Sequence, residues 1–236
     1  MIQFSPSSKV IALTGSGISA ESGIKTFRDS GGLWENHRIE DIASVDGFNR
    51  NSLRVWNFYK QRYTESLDCQ PNPGHYALVK LEEYLGKNFT LITQNVDGLH
   101  GKAGSKHVWE IHGSLQRCYC TSCKAKYNMQ EVLNELPTPT CKLCNTILRP
   151  DIIWFGEIPY FLAEIETALR NCEYLIVVGT SGIVYPAAGF VMSAKLLGAM
   201  TIGINLEKPA NLSFIDEFYQ GKSGDLLPEL VQQWIA

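Results

Sequence analysis

At 236 residues with ordinary apolar content, the chain can bury one large core, or a large domain carrying a small insert. A net charge of −3 leaves no global basic field of the kind that binds nucleic acid directly. Met1-Ile2-Gln3-Phe4-Ser5-Pro6 lacks a basic-then-apolar order, and no apolar run nears the roughly 20 residues of a membrane span, so the sequence predicts a soluble cytoplasmic protein.

The apolar run Val10–Leu13 reads as a buried parallel strand that breaks at Gly15 and Gly17 and passes into Ser19-Ala20-Glu21, a segment able to open a helix. Gly15, Gly17 and Ala20 satisfy the dinucleotide pattern G-x-G-x-x-G/A, in which glycine lets backbone amides approach a phosphate. The pattern alone fits any tight strand-to-helix turn equally well. The long polar stretch from Ile24 to Trp34 is read as a functional loop. Leu53, Trp56, Phe58, Tyr59 and Tyr63 recur at helical spacing between about Asp46 and Ser66, a second helix runs over His75–Leu85, and Pro71-Asn72-Pro73-Gly74 separates the two. Tyr59 and Arg62 share a face of the first helix; such a pair can hold a carboxylate, or simply be a surface pair.

Phe89–Thr93 is a second buried strand running into Gln94-Asn95-Val96-Asp97, and Val108–Ile111 is a short strand ending at His112-Gly113-Ser114. Cys120, Cys123, Cys141 and Cys144 form two C-x-x-C pairs at zinc-site spacing, and four thiolates close a tetrahedron with no place for water, so the metal is expected to be structural. Glu173–Ser181 and Met200–Glu207 are two more strands ending in small or polar residues, with helices over about Phe161–Asn171 and Ala187–Leu197 between them. Alternating strands and helices imply an α/β fold, a Rossmann-like parallel sheet with helices on both faces, plus a small zinc-ribbon module inserted in it. The polar strand ends then meet on one edge. Glu207, closing a late strand beside Asn205, is a better candidate to hold ribose hydroxyls than any acid about 20 residues past the glycines.

Taken together these motifs resemble the sirtuins, the family of NAD-dependent protein-lysine deacylases, over nearly the whole chain. The resemblance rests on Gly15–Ile24, Thr26-Phe27-Arg28, Thr93–Asp97, His112-Gly113-Ser114, the four cysteines, Trp154-Phe155-Gly156-Glu157, Gly179-Thr180-Ser181 and Asn205-Leu206-Glu207. Tyr59-x-x-Arg62 falls where the class III branch carries its acyl-carboxylate pair. Ser16, Lys25, Val96 and Asp151 depart from the usual pattern.

The resemblance implies a single catalytic domain: residues 1–30, 86–115 and 149–236 as the NAD-binding part, 31–85 as cofactor loop and helical module, 116–148 as zinc module. It implies NAD as co-substrate, one structural zinc ion, and acyl-lysine proteins as partners. Gly15, Ser16, Gly17, Ala20, Glu21, Phe27, Arg28, Trp34, Gln94, Asn95, Val96, Asp97, Gly179, Thr180, Ser181, Asn205, Leu206, Glu207 and Ser223 are the expected cofactor residues. His112 is expected as general base, with Asn95 beside it; Phe155, Gly156 and Glu157 as the peptide-pairing segment; Tyr59 and Arg62 as selectors of succinyl or malonyl groups. A zinc-stabilised NAD or ADP-ribose binder without catalysis and a mono-ADP-ribosyltransferase are the rival readings.

Overall fold

The computed structural model describes residues 2–25, 37–135 and 137–236. Phe27, Arg28 and Trp34, expected at the cofactor, lie outside the described residues.

Strand β1 (Val10–Thr14) is followed by two short 3-10 turns, Ser16–Ile18 and Ala20–Ser22, rather than by the helix expected there. An α-helix would bond the Ser22 amide to the Ile18 carbonyl. Instead the Asn72 side-chain amide donates to Ile18 O at 2.7 Å, and the Ser22 amide turns to Ser19 O at 3.0 Å. Helices α1 (Ile39–Ile42), α2 (Val45–Arg50) and α3 (Ser52–Asp68) follow. The single helix read over about 46–66 is therefore broken, at Asn51, whose side-chain oxygen caps α3 by accepting from the Arg54 amide at 3.0 Å. Helix α4 (Pro73–Leu85) starts with proline in its first turn and Asn72 as its cap.

The chain continues through β2 (Phe89–Thr93), α5 (Leu99–Ala103), β3 (Val108–Glu110), β4 (Gly113–Cys120), β5 (Lys126–Asn128), α6 (Met129–Val132) and β6 (Leu148–Ile152). It ends with α7 (Leu162–Leu169), β7 (Tyr174–Val178), α8 (Ala187–Leu196), β8 (Met200–Asn205), β9 (Glu217–Gln220) and α9 (Ser223–Trp234). The last strand and helix were not anticipated, because Glu217-Phe218-Tyr219-Gln220 is too short and too polar to read as a buried strand.

Six parallel strands make the large sheet, in the order β3-β2-β1-β7-β8-β9, which is the doubly wound order of dinucleotide-binding folds. Side chains alternate across it. Val10, Ala12, Leu91, Ile176 and Val178 face Leu78 and Leu81 of α4 and Leu227, Val231 and Trp234 of α9. Ile11, Leu13, Ile92, Leu175 and Val177 face Ile165 and Leu169 of α7 and Phe190 and Val191 of α8. Both faces are thus covered, as parallel strands require.

A separate core joins α1–α3 and α6 to the small antiparallel sheet β5-β4-β6. Helix α4, which falls within 31–85, packs on the large sheet, and β6, most of which falls within 149–236, lies in the small one.

Candidate active site

Strands β1 and β7 lie side by side in the large sheet with their connections leaving in opposite directions, the place where such sheets bind ligands at the carboxyl ends of their strands. Here the turn after β1 meets the turn after β7 backbone to backbone. A Cβ on Gly17 would stand 2.7 Å from Gly179 Cα, and one on Gly179, at φ 63, would stand 2.4 Å from the Ile18 amide nitrogen. The amides of Gly15 and Gly17 are already bonded, to Val178 O and Gly179 O, each at 2.9 Å. These bonds engage both amides within the fold, and the glycines at 17 and 179 permit the two loops to touch.

Ser19 is the hub of an adjoining buried hydrogen-bond cluster, and its central role was not foreseen. Its hydroxyl donates to Asp97 Oδ2 at 2.8 Å and accepts from Asn95 Nδ2 at 3.1 Å, and His75 Nε2 lies 3.4 Å away. Asn95 Nδ2 also donates to Gly15 O, and Asp97 Oδ1 accepts from the Leu99 amide at 2.8 Å. Burial pushes the Asp97 carboxyl up, while the Leu99 amide and Ser19 hydroxyl act against that shift. Asn72 ties α4 to the same turn through Ile18 O and Ser22 Oγ. An asparagine directly before proline at a helix start was the legible signal for that cap.

His112 follows β3 and is half-buried. Its Nδ1 lies 3.1 Å from the Gln94 carbonyl, which can only accept, so the neutral ring carries its proton on Nδ1 and presents Nε2 as a lone pair. Burial lowers its pKa, and the bond to Gln94 O raises it again in part. Gly113 can only be glycine, since at φ 83 a Cβ would lie 2.0 Å from Asp151 O.

At the carboxyl ends of β7 and β8, the Asn205 side-chain amide donates to Thr180 O at 2.8 Å, joining the two strand ends. Leu206 and Glu207 are exposed, Thr180 and Ser223 buried, and Ser16 and Ser181 half-buried. Ala20 is exposed, and Val96 O holds the Leu115 amide at 2.9 Å. Glu21 has a structural task as well: its Oε1 accepts from the Gly224 amide at 2.9 Å in the first turn of α9.

Tyr59 is buried, and its phenolic oxygen accepts from Trp154 Nε1 at 2.9 Å. Burial raises its pKa, so it keeps its proton. Arg62 Nη1 bonds Glu65 Oε2 at 2.7 Å, and its Nε is buried with no acceptor among the described residues. Phe155 is exposed and its amide donates to Ala43 O. Glu157 is not an open peptide ligand: both its oxygens take Arg149, at 2.8 and 2.6 Å, and Oε2 also accepts from the Trp154 amide. Gly156 between them has φ 89. Asp151 accepts from Arg117 Nε and Tyr160 OH, at 2.9 and 2.7 Å, so that position serves a link between β4, β6 and the following loop.

The four sulfur atoms of Cys120, Cys123, Cys141 and Cys144 all lie within 4.8 Å of one another. Tetrahedral zinc with Zn–S near 2.3 Å demands S···S separations of roughly 3.8 Å, so the donor set and its spacing fit one zinc ion with all four positions filled by protein. Cys118 is a bystander, its sulfur 3.7 Å from Tyr127 O.

Residues 15–186 match the profile of the Sir2 family. A protein named NAD-dependent protein deacylase from Pasteurella multocida is 45% identical over 229 residues, covering 96% of this chain and 98% of that one. The chain belongs to the Sir2 family. A second Sir2 relative of the same name, from Pyrococcus furiosus, is 44% identical over 236 residues, covering 96% of this chain and 93% of its own. Among solved Sir2 structures, a Sir2 homologue in complex with NAD superposes with a TM-score of 0.88 at 39% identity, covering 97% of this chain and 90% of that one. A Sir2 protein with a p53 peptide and NAD+ superposes at 0.84 with 31% identity, covering 95% and 92%. No described helix of this Sir2 chain is long and apolar enough to cross a membrane.

Proposed function

We propose that the chain is an NAD-dependent protein-lysine deacylase that acts on acyl-lysine side chains, including succinyl- and malonyl-lysine as well as acetyl-lysine. The observation that carries the reading is His112, kept neutral by burial and fixed by Gln94 O in the tautomer that leaves Nε2 to accept a proton, with Asn95 and Asp97, both hydrogen-bonded to Ser19, following Gln94 in the chain.

When bound, NAD supplies a ribose carbon that the acyl oxygen attacks as nicotinamide leaves, and with water the products are free lysine, nicotinamide and O-acyl-ADP-ribose. The rim where the turns after β1 and β7 meet, formed by Gly15, Ser16, Gly17, Gly179, Thr180 and Ser181, would hold the pyrophosphate and adenosine, with Asn205, Leu206, Glu207 and Ser223 alongside. Asp97 and Val96 fit the carboxamide end, with Gln94 and Ala20 near it and Phe27, Arg28 and Trp34 as the loop contribution. Asn95 acts by fixing the turn: its amide nitrogen holds Gly15 O and Ser19 Oγ. His112 takes the ribose hydroxyl proton.

Phe155 and Gly156 offer the edge on which the peptide pairs, and Glu157 keeps that edge rigid through Arg149. Tyr59 and Arg62 read the distal carboxylate of dicarboxylic acyl groups. The thiolates of the zinc module suit the reducing cytoplasm.

The test is incubation with NAD and matched acetyl-, malonyl- and succinyl-lysine peptides, with products identified by mass. Nicotinamide release tied to loss of the acyl group supports the reading, and a folded His112→Ala variant is expected to lose turnover. Binding of NAD with no peptide-dependent nicotinamide release would reduce the chain to a binding module.

A further inference from the structure

We propose that Glu65 is a specificity-determining residue: a carboxylate built into α3 that occupies one arm of Arg62 and thereby weakens the pocket's preference for acidic acyl groups. The inference rests on the reading of Tyr59 and Arg62 as the acyl-carboxylate pair.

Arg62 Nη1 stands 2.7 Å from Glu65 Oε2, one turn further along the helix, with the Arg62 side chain 14% exposed and that of Glu65 49%. The other carboxylate oxygen accepts from Gln61 Nε2 at 2.8 Å. Two donors of its own helix therefore hold Glu65 against the guanidinium. The guanidinium also lies over the Phe58 ring, 5.1 Å from its centroid.

Glu65 meets Arg62 through a single nitrogen. On the opposite side Nε is buried and bonded to no described residue. A guanidinium presents paired donors to a carboxylate, and a buried donor left unpaired is costly, so the vacant Nε side is where a second carboxylate is drawn. Tyr59 lies three residues before Arg62 and so shares its helix face; its oxygen is already engaged as acceptor by Trp154 Nε1, which leaves the phenol proton to donate.

The incoming group meets an arginine that is already half neutralised. Two carboxylates on one guanidinium repel each other, and a neutral acetyl group feels none of that repulsion. Glu65 thus narrows the gap between dicarboxylic and simple acyl substrates without touching either.

Glu65→Gln keeps the shape and the hydrogen-bonding oxygen while removing the charge. It is expected to raise the ratio of kcat/KM for succinyl- over acetyl-lysine peptide by about three- to tenfold, through KM of the succinyl peptide. Arg62→Met is expected to lower the same ratio, and Glu65→Gln is expected to have no effect on it in the Arg62→Met background. A lowered ratio in Arg62→Met together with an unmoved or lowered ratio in Glu65→Gln overturns the role of Glu65 and leaves the carboxylate-reading pair intact. A ratio unmoved by Arg62→Met overturns the pair and Glu65 with it.

Discussion

The indole nitrogen of Trp154 donates to the phenolic oxygen of Tyr59 across 2.9 Å, joining helix α3 to the segment that begins the expected peptide edge. Both side chains are buried in the second core, and Arg149 stacks over the Trp154 ring with its guanidinium carbon 3.6 Å from the centroid. The residue proposed to read the acyl group and the loop proposed to pair with the peptide are thus held by one hydrogen bond between segments far apart in the chain.

Trp154→Phe removes that donor while keeping a ring in place. The Tyr59 oxygen loses its buried partner, and a loss of about 1–3 kcal/mol in urea-unfolding stability is expected. A midpoint unchanged from the parent protein would mean that the bond adds nothing to the packing around it.

Removal of zinc is expected to unfold the small sheet and leave the large one folded, since the two have separate cores. Structural zinc in four-thiolate or similar sites contributes on the order of 10 kcal/mol to the fold around it. A chelator assay with a colorimetric indicator should release one zinc per chain, and Cys141→Ala should release none. Hydrogen exchange that stayed slow throughout β4 and β6 after chelation would contradict the staple.

As the proposed base, His112 can act only when neutral. Because burial lowers its pKa below the usual 6.5, the acid limb of kcat/KM is expected below that value, with activity falling as pH drops through the folded pKa. A limb centred above 6.5 would point to a different group as the base.

Stability should also fall on the acid side. His75 and His100 are buried, their rings 4.9 Å apart, and desolvation lowers their pKa values to about 4 and about 3. Unfolded histidine titrates near 6.5, so below that pH the unfolded chain takes up protons that the folded chain refuses. Stability is complete above pH 6.5 and declines as pH falls toward 4, by on the order of 3 kcal/mol for His75 alone. His100→Gln retains a donor for Thr14 Oγ1, which His100 Nε2 meets at 2.9 Å, but cannot titrate. Its unfolding free energy is expected to vary less between pH 6.5 and 4 than that of the parent.

Gly179→Ala is expected to force apart the turns after β1 and β7, because the added Cβ meets the backbone of Ile18 and Gly17 at a positive φ. A loss of several kcal/mol and of NAD binding is expected by calorimetry. Gly101→Ala, in helix α5 with nothing within 4 Å of the added carbon, is the control and should be neutral or stabilising.

The four central strands of the large sheet, β1, β2, β7 and β8, were legible because apolar runs bounded by glycine and polar residues carry their own signature. β9 was not, since Glu217-Phe218-Tyr219-Gln220 owes its strand state to pairing with β8 at the sheet edge. Similarly, Glu157 could be picked out as a motif residue, while its engagement by Arg149 could not, because that ion pair belongs to no periodic pattern.

By itself the amino-acid order determined an alternating α/β chain with polar strand ends, a cysteine tetrad for one metal ion, and a histidine at a strand-to-loop boundary. These follow from spacing along the chain, where each signal is local. Only the tertiary structure decided that Ser19 joins Asn95 and Asp97, and that Glu21 accepts from Gly224, 203 positions away. Such bonds form between segments that meet only after the sheet has assembled, and hydrogen-bonding capacity alone does not say which partner a buried side chain will find.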